Sequence, residues 1–357
     1  MEILPNTGPQ AEKFKNRLNQ WLESVPQWHD NFVWTPNEKP AWCAPGKPLA
    51  QSTVALIGTG GFHLKNQPPF DVDNPFGDAS FRLIPACSDP ADIAISHTHY
   101  DHSEADHDIN CMFPITRLWE LKEQGVIGDV AENFYGLNGF IPNPARLISE
   151  TAPQILSQLK KDSAEVVLLT PDSANGHRAV GLLQDAFEKA GIVTISITLK
   201  PEVTLFMNIP RAAYIRYPYG YSAGPAFQPD LQREIIRETL LLIDQISKPG
   251  TVVKLPYRWS GVKGDPTIQS AEPRTQLLIN GIDQMIKLLE EIVVDMQNAQ
   301  HTENSTMQPD PHKLAFYQSQ MLRARKLASL FENEAIDQVH SIRNLSGPIK
   351  YLREEQK

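Results

Sequence analysis

The sequence is short of cysteine. Its 357 residues include three, Cys43, Cys87 and Cys111, and none forms a Cys-x-x-Cys pair. A disulfide framework is therefore not expected, and the chain suits a reducing compartment. Long apolar runs are also missing: no stretch reaches the ~18 residues that a membrane span requires. Met1 to Gln20 is polar and of mixed charge, without the apolar centre of a secretory signal. These absences predict a cytoplasmic protein with no membrane partner. A basic excess is lacking too, since 33 Lys and Arg face 42 Asp and Glu for a formal charge of -9. A general nucleic-acid binder needs a basic face to neutralise phosphates, so no nucleic-acid partner is expected. No Gly-x-Gly-x-x-Gly fingerprint opens a helix after a strand, so no nucleotide cofactor is expected either. No internal repeat is visible.

What is present reads as α/β. The hydrophobic share of 41% is enough for a real core. Residues 1–50 read as an N-terminal arm: a helix over Ala11–Ser24 with Phe14, Leu18, Trp21 and Leu22 on one face, then an extended stretch rich in Pro and Trp. Short apolar runs at 52–58, 91–96, 165–170, 192–198 and 212–217 suit strands. Helical spacing falls at 116–124, 153–161, 179–190 and 230–246, and 171–178 reads as a polar loop. Strands alternating with such helices predict Rossmann-like parallel sheets, in two lobes over 51–150 and 151–260. Beyond these, Leu277–Met296 and Lys313–Ile342 predict a helical C-terminal extension over 261–357.

In such sheets ligands gather beyond the carboxyl ends of the strands. Gly58-Thr-Gly60-Gly61 leaves the first buried strand there, and Gly60 and Gly61 permit close backbone approach to a substrate. The sharpest pattern is His97-x-His99-x-Asp101-His102, inside a stretch with four His and three Asp from His97 to Asp108. On an extended strand end, His97 and His99 point the same way and can meet one ion. Asp101 and His102 add donors, with His63 or His177 as a further ligand. Imidazole and carboxylate together suit a divalent transition metal such as Zn or Fe. The spacing is similar to that of metallo-β-lactamase-type hydrolases, which makes a metal-dependent hydrolase the alternative reading.

A longer resemblance runs through Ala55-Leu-Ile-Gly-Thr-Gly-Gly-Phe-His-Leu64, the following Pro-Pro-Phe-Asp71, Gly77-Asp-Ala-Ser-Phe-Arg82, Tyr100-Asp101, Ala105-Asp106-x-Asp108-x-Asn110 and Phe113-Pro-Ile115. It continues through Gly125-x-Ile127-Gly128, the strand at 166–170, Gly191-Ile192 and Pro210-Arg211. In these blocks the chain resembles the selenoprotein B family, the substrate-attacking subunit of glycine, sarcosine, betaine and D-proline reductases. The resemblance implies action on a small amino acid or related compound, and a partner subunit or a homo-oligomer.

It also implies a selenocysteine or cysteine nucleophile in the loop after strand 166–170. Here that loop is Pro171-Asp-Ser-Ala-Asn-Gly-His-Arg178, with Ser173 near the nucleophile position, no cysteine and no selenocysteine. A serine hydroxyl cannot serve as a two-electron thiol centre. The expectation is therefore an oxidoreductase-like enzyme with a metal-assisted site, or a non-catalytic small-molecule-binding subunit. Asp101, Ser173, His177 and Arg178 are the candidate catalytic residues. Gly60, Gly61, Asp172 and Arg211 are the candidate substrate contacts, an Arg suiting a carboxylate. His63, His97, His99, Asp101 and His102 are the candidate metal ligands.

Overall fold

The computed structural model describes residues 2–25 and 31–259. The helices expected at 277–296 and 313–342 lie outside the described residues.

The strands are β1 (Glu2–Ile3), β2 (Thr53–Gly58), β3 (Phe62–Leu64), β4 (Phe81–Pro85), β5 (Ile93–Ile95), β6 (Asp129–Val130), β7 (Asn133–Leu137), β8 (Val166–Thr170), β9 (Val193–Thr198), β10 (Arg211–Arg216) and β11 (Thr251–Arg258). The helices are α1 (Gly8–Ser24), α2 (Ile115–Glu123), α3 (Ala152–Lys161), α4 (Ala174–Lys189), α5 (Pro201–Phe206) and α6 (Pro229–Gln245). One nine-stranded sheet runs β1-β11-β10-β9-β8-β2-β7-β4, with β6 also paired to β2. From β11 to β7 the neighbours are parallel, and the edge strands β1 and β4 are antiparallel. β3 and β5 form a separate antiparallel pair. Strands of both expected lobes thus share one sheet, and β2 lies directly against β8 from Val54↔Val166 to Gly58↔Thr170.

The sheet is covered on both faces because its strands carry apolar residues on alternate sides. Val54, Leu56, Leu168 and Ile195 pack into one core with Leu118 and Leu121 of α2 and Ile235 and Leu240 of α6. Ala55, Ile57, Val167 and Leu169 pack into the other with Phe14 and Leu18 of α1, Ile155 and Leu159 of α3, and Leu183 and Phe187 of α4. The second side of β9 is polar yet buried. Thr194 Oγ1 donates to Glu188 and accepts from Gln184, and Thr198 pairs with Thr204, so the burial leaves these hydroxyls satisfied. Among the described residues no helix is long and apolar enough to cross a membrane.

Two features depart from the sequence pattern. The stretch expected as a polar loop up to Arg178 is helical from Ala174, because the Ser173 side chain caps α4 by accepting from Gly176 N–H at 3.3 Å. Asn175-Gly176 looks like a turn signal, but Gly176 serves close packing instead: a Cβ there would collide with Asp172 Oδ1. The sequence pattern also passed over β4, β7 and β11, which carry Pro85, Gly136 and Pro256 in otherwise strand-like runs.

Candidate functional site

From β2 the chain crosses to β7 on one side, and β8 to β11 follow in order on the other. The strand order therefore reverses between β2 and β8, which opens a crevice at their carboxyl ends. Thr59 follows β2 and Asp172 follows β8, and they meet at this reversal. Thr59 Oγ1 donates to Asp172 Oδ1 and accepts from Asp172 N–H at 3.2 Å. His97, from the loop after β5, places Nε2 2.9 Å from Asp172 Oδ2, close enough for an ion pair though off the hydrogen-bond line. The loop after β7 joins in, with Gly139 N–H donating to Thr59 O at 2.7 Å and Asn138 Nδ2 to Ser96 O at 3.2 Å. A Cβ at Gly139 or at Gly176 would run into the Asp172 carboxylate, so both positions must be glycine for it to fit. Burial works to raise the Asp172 carboxyl. The nearby His97 imidazole and hydrogen bonds from Thr59 and Ser173 outweigh it and hold Asp172 below the usual carboxylate range.

The five candidate metal ligands do not gather around one point. The chain bends at residues 98–100 instead of staying extended, so the alternation that would align His97 and His99 is lost. Their rings lie 5.6 Å apart at 87°. His97 Nδ1 accepts His99 N–H at 3.0 Å while Nε2 faces Asp172. His99 stacks on Phe140 at 3.9 Å. His102 Nδ1 pairs with Asp106 at 2.9 Å, and its Nε2 lies 3.2 Å from His97 O. His63 lies between Leu64 O at 2.9 Å and Ser96 Oγ at 2.8 Å. Asp101 Oδ1 accepts Ser103 N–H at 3.1 Å. Among the described residues, no group of three or more His, Cys, Asp or Glu is placed to hold a metal ion. The donor set fits an imidazole-tied loop and does not fit a shared ion.

The other candidates separate by position. Gly60 and Gly61 are at the crevice but tightly backed: Tyr100 Oη donates to Gly60 O at 2.8 Å, and Gly61, at φ 81°, lies against Ser96 O. His177 lies in the first turns of α4 and is buried. Its Nδ1–H donates to Ser173 O at 2.6 Å and its Nε2 accepts Leu199 N–H at 2.9 Å, stitching α4 to the end of β9. Burial pushes its pKa down to about 4, against the Ser173 hydrogen bond. Arg178 is buried one residue on. It donates to the carbonyls of Val33, Ile141 and Pro142 and lies over the Phe32 ring, which ties the arm to the loop after β7. Burial lowers its pKa to about 10. Arg211 begins β10 and so lies at the amino edge of the sheet, away from the crevice. A cavity of about 330 Å³ also opens at that amino edge, beside Cys43, Lys47 and Glu165.

Thr59, Tyr100, Gly139 and Gly176 were not singled out individually by the sequence pattern. The glycines after β2 marked the turn that holds Thr59. Nothing local marked Gly139, whose reason is a carboxylate from another loop.

Comparison with known proteins gives a consistent set of relatives. The chain is 36% identical over 220 residues to D-proline reductase subunit gamma of Acetoanaerobium sticklandii, across 62% of this chain and 90% of that protein. It is 26% identical over 208 residues to glycine reductase complex component B subunit gamma of Symbiobacterium thermophilum, and 27% over 206 residues to that of Carboxydothermus hydrogenoformans. These matches cover 55% and 54% of this chain, and it spans 46% of the length of each of these two glycine reductase relatives. No protein-family model and no solved structure matches the chain.

Proposed function

Since the chain belongs to the selenoprotein B-like family of amino-acid reductase subunits, we propose that it is the substrate-binding subunit of a reductase acting on a small amino acid, with its cleft at the β2/β8 reversal. The observation that carries this placement is the meeting of Thr59, His97 and Asp172 at the carboxyl ends of the strands. The partly exposed groups near the reversal include His99, Asp101 and His102, with Lys200, whose N–H donates to His177 and whose ammonium pairs with Glu202 at 3.0 Å, beside them. Charges of both signs suit a zwitterionic ligand.

The reading includes no thiol step within the loop after β8. Ser173 lies near the position where the resemblance implies a nucleophile, and its oxygen serves as the cap of α4. Cys87 is exposed. Cys111 is buried, and burial together with Asp108 and Glu104 pushes its thiol well above the ordinary value, which keeps it protonated and unreactive. Reducing equivalents would therefore come from a partner subunit. A metal-assisted step is not part of the reading, because the candidate donors are turned to other partners. The second reading, a binding subunit with no chemistry of its own, is favoured by the capping role of Ser173.

Calorimetric titration of the full chain with glycine and D-proline tests the cleft, which both readings require. The proposal predicts saturable binding of at least one small amino acid. A folded chain that binds none across a panel of N-methylated and cyclic amino acids would sink it.

A further inference from the structure

Asp172 has no atom available to a ligand. Its side chain is 0% exposed. Thr59 occupies Oδ1, His97 Nε2 faces Oδ2, and Gly139 and Gly176 close the remaining space. A group so enclosed acts on the cleft only through its neighbours. The neighbour that matters is His97, also buried, because its ring holds the loop that follows. Its Nδ1 accepts His99 N–H at 3.0 Å, which requires an unprotonated Nδ1 and so places the proton on Nε2. That nitrogen is the one facing Asp172, and an ionised carboxylate, which only accepts, keeps the proton there. The His97 carbonyl lies 3.2 Å from His102 Nε2, and the His97 ring lies 4.8 Å from that of Tyr100, whose hydroxyl reaches Gly60 O.

We infer that Asp172 is a positioning residue: by setting the His97 tautomer it fixes the bend at 98–100 and so the presentation of His99 and Asp101 at the β2/β8 cleft. The functional part of this inference rests on the amino-acid-site reading above, whereas the structural part can be tested with no ligand present.

Asp172→Asn offers one acceptor where aspartate offers two; the Thr59 hydroxyl already accepts the residue 172 N–H and keeps its proton for the side-chain oxygen, so the amide N–H faces His97 Nε2. In ¹⁵N-histidine NMR of the full chain, the native protein should show His97 as the Nε2–H tautomer, and the variant should gain Nδ1–H signal. Amides of residues 98–106 should exchange about tenfold faster or more, with β8 and β9 unchanged. A His97 that stays wholly Nε2–H with unaltered loop exchange overturns the inference.

If Asp172→Asn does not fold, a His97 pair decides. Glutamine supplies both an amide donor for Asp172 and an oxygen for His99 N–H, whereas leucine supplies neither. His97→Gln should keep loop protection and His97→Leu should lose it, and equal behaviour overturns the inference. Affinity for D-proline or glycine should follow loop protection through the series. Native tautomer and loop behaviour in a chain that binds neither would count against the amino-acid site alone.

Discussion

Arg211 Nη2 lies 3.1 Å from Glu188 Oε2, with both side chains fully buried at the sheet edge opposite the crevice. Arg211 also donates to Cys43 O at 2.7 Å, and its guanidinium lies 3.9 Å from the Trp42 ring centroid. Burial pushes the Glu188 carboxyl up, opposed by the Arg211 charge and by donors from Cys43 and Thr194. The pair holds the arm against the body. Removing one partner of a buried ion pair strands the other charge, so Glu188→Ala should cost about 3 to 5 kcal/mol in urea unfolding. Arg211→Lys should also destabilise, and should leave the amino-acid affinity of the folded protein unchanged. A selective loss of affinity would return Arg211 to the ligand site.

His177 gives a pH dependence with a defined sign. Its folded pKa of about 4 lies below the ordinary histidine value of 6.5, so between these values the unfolded chain binds more protons than the folded one. The stabilisation is full above about pH 6.5 and is lost as pH falls towards 4, on the order of 3 kcal/mol in total. His177→Gln can still donate to Ser173 O and accept from Leu199 N–H. It should flatten that part of the stability–pH curve measured by denaturant titration, and an unchanged slope would refute the assignment.

Gly176 offers a test in which propensity and packing predict opposite signs. Alanine in a helix is ordinarily favoured over glycine by about 1 kcal/mol. Here the added Cβ collides with Asp172 Oδ1. Gly176→Ala should therefore lower the melting temperature and loosen the 98–106 loop, and a stabilised variant would show that the carboxylate cage is not formed.

Phe227 is 62% exposed and sits at φ 58°, with its N–H held by Asp108 Oδ2 at 2.8 Å. Left-handed backbone is unfavourable for a residue with a Cβ, and glycine accepts it freely. Phe227→Gly keeps the N–H and should stabilise by about 0.5 to 1 kcal/mol net of chain entropy. Thermal unfolding measures it, and a loss of stability would mean that the ring makes contacts outweighing the strain.

Much of the architecture was legible along the chain. The runs at 53–58, 166–170 and 193–198 announced themselves by composition, and α1, α3 and α6 by apolar spacing. The carboxyl-edge location of the loops after β2, β5 and β8 followed from the alternation of strands and helices. The roles of individual side chains were less legible. His97 and His99 would share a direction only in an extended chain, and the bend at 98–100 separates them. Arg178 and Arg211 look like anion contacts in a polar sequence. In the fold one is enclosed by carbonyls and the other by Glu188.

The sequence by itself determined the α/β class, the family and the absence of a thiol in the loop after β8, because each depends on residue type and local order. Only the tertiary structure decided that the His-rich stretch is tied through His97 to a buried carboxylate. Thr59 and Asp172 are 113 residues apart, and their hydrogen bond exists because β2 and β8 pair in parallel. Which nitrogen carries a proton, and which donor is left for a ligand, is set by such partners, and local spacing carries no record of them.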